Sequence, residues 1–89
     1  MRAVVTVVGK DAVGILAKVS TVCAEHNANV IEVNQSVLQD MFAMTMLIDI
    51  SKLNKDFVDL VDALTALGDG MGLKIHTMHE SIFNCMHHI

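Results

Sequence analysis

The most restrictive feature of this chain is a strict two-residue alternation in its middle. From Met41 to Ser51, Phe42, Met44, Met46, Ile48 and Ile50 fall on one side, and Ala43, Thr45, Leu47, Asp49 and Ser51 on the other. Successive side chains of a strand point to opposite faces, so a β-strand lets this segment bury one face in a core. Its second face is mixed, which suits partial cover. The neighbouring segments must fit that strand. Arg2 to Val8 is nearly all apolar and β-branched, the pattern of a central strand covered on both faces. Gly9-Lys10-Asp11 interrupts it, and Asp11 has the chemistry of a helix N-cap. Ile15, Leu16, Val19, Val22 and Cys23 then recur at helical spacing, with Lys18 and Glu25 on the other side. This helix fades at His26-Asn27, where Asn27 or Asn29 suits a left-handed C-terminal turn.

Val30 to Leu38 has strand character again, and a tight turn at Gln39-Asp40 joins it to the alternating strand as a hairpin. Asn54 is placed to cap a second helix whose stripe is Phe57, Leu60, Val61, Leu64 and Leu67, with Asp56, Asp59 and Asp62 toward solvent. The glycines from Gly68 to Gly72 end that helix, and Leu73 to Met78 reads as a last strand. In residues 81–89, Ile82, Phe83, Met86 and Ile89 recur at helical spacing. The order is therefore βαββαβ. The expected fold class is α+β and ferredoxin-like, a four-stranded antiparallel sheet with two helices on one face. Residues 1–80 make the domain, and residues 81–89 a C-terminal helical arm docking on the domain or on a partner subunit.

The helices of such a fold leave one sheet face uncovered. Composition then matters: 53% of the 89 residues are hydrophobic and three are aromatic. A chain of this mass buries only about 64% of its extended surface on folding. The apolar surplus points to a second buried surface, most simply a homodimer interface on the uncovered face, expected to carry Val5, Val7, Thr45 and Leu47. Asn34 and Gln35 add polarity to a strand near that partner. Six Lys/Arg stand against ten Asp/Glu, a net charge of −4 that argues against a nucleic-acid surface. No apolar run reaches the roughly 18 residues of a membrane span, and the first residues read as a strand rather than an export signal. The expected location is the cytoplasm.

Several occupants of this architecture can be set aside on residues. Base-stacking modules need aromatics in the central strands, which here carry Val5, Val7, Met44 and Met46. A metal chaperone needs a Cys pair in the first loop, which reads Lys10-Asp11-Ala12-Val13. A phosphate-cradling hydrolase would want an Arg there, and Gly9 to Leu16 has only Lys10. Cys23 lies on an apolar stripe and reads as core. His76 and His79 are three apart in a strand and point to opposite faces. Cys85, His87 and His88 read as solvent-exposed tail residues rather than zinc ligands. No enzyme, cofactor or metal is expected.

The segment Val4 to Leu16, VVTVVGKDAVGIL, resembles the ACT domain family, small ligand-sensing modules of regulated enzymes and regulators. The likeness rests on an apolar strand, then Asp11, two residues, Gly14 and an aliphatic pair opening a helix. The entry Asn29-Val30-Ile31, the hairpin NQSVLQDMFAMTMLIDIS and the ending SIFNCMHHI look like the stand-alone ACT proteins of unassigned function. The resemblance implies a non-catalytic regulatory module that binds a small molecule, an amino acid above all, across a homodimer interface. It implies contacts from the first loop and from the start of the second strand, here Asp11, Ala12, Val13, Gly14, Ile15 and Asn29. Elementary chemistry supports the loop. Backbone N–H groups at a helix start favour an anion such as an α-carboxylate. Gly14 lets a ligand or strand approach closely. The alternative is a purely structural dimerisation module in which Asp11 caps the helix and Gly14 relieves packing.

Overall fold

A computed structural model describes residues 1–10 and 13–87. The order is β1 (Arg2–Gly9), α1 (Ile15–Glu25), β2 (Asn29–Leu38), β3 (Met41–Asp49), α2 (Phe57–Met71), β4 (Lys74–His79) and α3 (Glu80–His87). The strands form one antiparallel sheet in the order β2-β3-β1-β4, so β1 and β3 are central and β2 and β4 are edges. This is the ferredoxin-like α+β arrangement that the alternation and the helical stripes predict. Gln39 takes φ 58° in the two-residue turn of the hairpin, and Leu38 pairs with Met41 across it. A bulge between Val30 and Glu32 shifts the register of β2.

The core lies between the sheet and the first two helices. Met44, Met46 and Ile48 of β3 and Ala3, Val5 and Val7 of β1 are buried against Ile15, Val19 and Cys23 of α1 and Leu60 and Leu64 of α2. The packing is close at two glycines. A Cβ on Gly9 would collide with the Leu73 side chain, and one on Gly68 would stand 2.8 Å from Ile75 Cγ1.

Four details differ from the sequence reading. Val5 and Val7 belong to the core face, whereas Val4, Thr6 and Val8 share the other face with Leu47, Thr45 and Ala43, their cross-strand partners. An unbroken valine run carries no phase of its own, and the register with β3 sets it. The N-cap position of α1 is Gly14 rather than Asp11, which lies outside the described residues together with Ala12. The N-cap of α2 is Asp56, while Asn54 is used elsewhere. Helix α2 passes through Gly68 and Gly70 and stops at Met71. Gly72 takes φ 72° behind it, and Leu73 N donates to Gly68 O at 2.8 Å.

The second sheet face is not bare. Helix α3 follows β4 directly and lies against β1 and β4. Arg2 Nη2 meets Glu80 Oε2 at 2.9 Å at the helix start, and Val4 beneath is buried. Ile89 and His88 lie outside the described residues.

Candidate functional site

The first loop approaches its helix through Gly14, at φ 74° and ψ 6°, an N-cap residue with no side chain to cap the helix. A Cβ built on Gly14 would meet nothing within 4 Å. Glycine is therefore required there for its left-handed backbone and not for close packing within the chain. Val13 beside it is 85% exposed. Lys10 reaches Asp40 of the hairpin turn at 3.9 Å, so the loop and the β2–β3 turn share one end of the sheet.

Asn29 is at the other end. It opens β2 opposite Asp49, which in turn faces Arg2 of β1. Gly9, the last residue of β1 before the loop, faces Phe42. The eight-residue register from Phe42 to Asp49 spans roughly 23 Å of strand. The residues expected to form one ligand site thus fall into two groups, Val13, Gly14 and Ile15 at one end and Asn29 at the other. One chain does not bring them together.

The Asn29 end carries a cleft of about 390 Å³ lined by Ala24, Asn27, Ala28, Asn29, Asp49 and Lys52. Its walls are tied together by side-chain amides. Asn27, at φ 61°, donates from Nδ2 to Lys52 O at 2.7 Å. Asn54 donates from Nδ2 to Glu25 O at 2.9 Å and from its backbone N to His26 O at 3.2 Å. These bonds pin the β3–α2 turn onto the end of α1. Asp49 Oδ1 accepts a hydrogen bond from Ser51 N at 2.8 Å. The hydrogen bonds from Ser51, helped by the nearby N-terminal ammonium and Lys52, hold the Asp49 carboxyl below its usual range.

A second cavity of about 160 Å³ lies under α3. Asn34, Thr45 and Leu47, expected at a subunit interface, line it with Val4 and Phe83. The chain's own third helix therefore covers part of the face assigned to a partner. Gln35 is apart from them, opposite Met44, with Nε2 4.0 Å from Met44 Sδ.

The remaining singled-out groups are dispersed. His76 pairs with Thr6, whereas His79 lies opposite Ala3 and stacks on Phe57 with ring centroids 4.3 Å apart. Among the described residues no group of three His, Cys, Asp or Glu side chains could hold a metal. Cys23 is buried, which pushes its thiol up to about 11, and Cys85 is exposed. Sequence reasoning missed Asp49 and Lys52. The available signal was an acid at the end of the alternating strand, three residues before a lysine, and it acquires meaning only once the register places Asn29 beside it.

The fold is shared with known proteins. A family model for the ACT domain matches residues 2–78. The chain belongs to the ACT domain family, whose members are regulatory ligand-binding modules. Within it, a UPF0237 protein of Methanococcus maripaludis is 48% identical over 86 residues, covering 97% of this chain and 96% of its own. An ACT domain protein from Streptococcus pneumoniae superposes with a TM-score of 0.80 at 36% identity, covering 93% of each chain. The ligand-free regulatory subunit of aspartate kinase from Thermus thermophilus shares the fold, with a TM-score of 0.64 at 22% identity over 85% of this chain and 49% of its own. No helix among the described residues is long and apolar enough to cross a membrane.

Proposed function

We propose that this chain is a non-catalytic, cytoplasmic sensor module that works as a homodimer and binds an amino acid between its subunits. The observation that carries the reading is the separation of Gly14 from Asn29 along one sheet. A two-fold arrangement sets the first loop of one copy over the β2 start of the other, and does so twice. Each loop then meets an Asn29 that its own chain cannot supply. The open space around Gly14 leaves room for a ligand or a neighbouring strand at that loop. The ligand state is passed on through the association or shape of the dimer to a regulated protein.

The test is a thermal-shift screen over the twenty amino acids, with the mass measured by light scattering. A ligand present at 100 times its dissociation constant adds about 2.7 kcal/mol to the folded state. Asn29→Ala removes a hydrogen bond worth about 1 kcal/mol and weakens binding accordingly. An intact dimer that answers to no amino acid at millimolar concentration overturns the sensor reading in favour of a structural dimerisation module.

A further inference from the structure

We propose that the cavity under α3 is a second binding site, which takes an alkylammonium group. The apolar stem of the guest lies on Val4, Leu47 and Phe83, and its charge meets the Glu32 carboxylate. A free alkylamine and a lysine side chain of a partner protein offer this same chemistry. The site is on the sheet face turned away from α1 and α2, and neither the first loop nor Asn29 contributes to its lining.

The strand register fixes which side chains face this cavity. Val4, Leu47 and Glu32 stand in one row across β1, β3 and β2, and Thr45 and Asn34 stand opposite each other in the next. Residues directly opposite, or two apart along a strand, share a face, so all five point to the side of α3. Met46, which also borders the cavity, turns its side chain into the core. Glu80, Phe83 and Asn84 close the space from the helix. Among the described residues two helices lie on the first face of the sheet, whereas α3 alone lies on the second, against β1 and β4. The cavity is what remains between that helix and the β3 and β2 side of the sheet.

Its chemistry selects the sign of the guest. The floor is apolar, with Val4 buried and Leu47 and Phe83 half-buried. Of the two carboxylates on the rim, Glu80 is already answered. Arg2 grips it with two bonds, Nε to Oε1 at 3.0 Å and Nη2 to Oε2 at 2.9 Å. Glu32 forms no ion pair among the described residues. Asn34 Nδ2 donates to Glu32 Oε2 at 3.2 Å, which steadies the carboxylate and leaves Oε1 to accept from a guest. Lys74, the other cation of this face, is opposite Val8, two rows away on the far edge strand. An alkylammonium answers both features, laying its stem on the floor and keeping its charge at the wet rim. A carboxylate guest would instead meet Glu32. The volume of about 160 Å³ equals the liquid share of roughly five waters, which suits a short stem.

Amide NMR titration of the full chain tests this with n-butylammonium, n-butanol and n-butyrate, which share a stem and differ in charge. Butylammonium should shift the signals of residues 32–34, 45–47 and 80–84 together. It should bind about threefold or more tighter than butanol, the scale of an exposed ion pair, and butyrate should bind more weakly than either. High salt should shrink the margin. Glu32→Gln keeps an acceptor for Asn34 and should erase the margin over butanol. Asp62→Asn, an exposed carboxylate on α2, should leave it unchanged. Nα-acetyl-lysine amide separates the sources. Binding as tight as that of butylammonium assigns the site to a partner's lysine, and binding of butylammonium alone assigns it to a free amine. Equal affinity for the three probes overturns the proposal, as does a margin that survives Glu32→Gln, or no localised shift at tens of millimolar. Should Glu32→Gln fail to fold, the order of the three probes on the native chain decides alone.

Discussion

The two thiols of this chain occupy opposite environments. Cys23 is fully buried on the inner stripe of α1 and Cys85 is exposed on α3. At pH 8 an aromatic disulfide reagent should titrate one thiol quickly and the second only on unfolding. Burial raises the Cys23 pKa from 9.0 to about 11. The sign follows from linkage. Below pH 9 the thiol is neutral in both states, and between pH 9 and 11 the unfolded chain loses the proton first. Stability present below pH 9 therefore drains away as the pH rises to 11, by about 2 to 3 kcal/mol. Melting curves of Cys23→Ala should lack that part of the alkaline decline. At Gly14 the left-handed backbone sets the cost of any side chain. Gly14→Ala should destabilise by about 1 to 2 kcal/mol in denaturant titration, and Gly14→Asn by less, because Asn tolerates that conformation. The position was legible in the sequence through the family resemblance, as the glycine that follows Asp11 after two residues and precedes an aliphatic pair. Its reason was not, since a dihedral angle leaves no mark on composition, and within one chain a Cβ at Gly14 would meet nothing within 4 Å.

Among the elements, α2 and β3 were the most legible because their apolar residues recur with one period and almost no interruption. The buried residues Leu60 and Leu64 fall where the stripe predicts. Leu64→Ala should cost about 2 to 5 kcal/mol, while Asp59→Ala on the solvent side should stay within about 0.5 kcal/mol, both by equilibrium unfolding. Valines in β1 could not reveal which of them faces the helices, and caps were ambiguous wherever two suitable residues stood close together. Asn54 illustrates the second case. Its side chain bonds the end of α1 rather than the start of α2, a tertiary choice invisible locally. The cleft at Asp49 and Lys52 was hidden for the same reason, since it exists through register and loop anchoring. In α3 Phe83 is half-buried whereas Ile82 is 52% exposed, and Phe83 should matter more than the ion pair of Glu80. Phe83→Ala should lower stability by about 1 to 2 kcal/mol, and Glu80→Ala by less than about 1 kcal/mol, since Arg2 is half-exposed.

The whole molecule is a slab of 36 × 34 × 19 Å with a long, unpartnered strand along one edge among the described residues. On that strand Val37 is 70% exposed and Ile31 46%. Such an edge is a template for another chain, so association should be most sensitive there. Val37→Lys should shift the mass measured by light scattering toward the monomer at concentrations where Asp59→Lys does not. A charge at Leu47 now acts first on the seating of α3, because that side chain lines the cavity beneath the helix. The opposite edge has a different character. Strand β4 ends at His79 and α3 starts at Glu80, with no residue between them to act as a hinge. Lifting the helix from the second face therefore twists the strand that ends in it, and releasing the strand takes the helix along. Native-state amide exchange should record this directly, with residues 74–87 opening together at one free energy and one denaturant slope rather than fraying by degrees from the end.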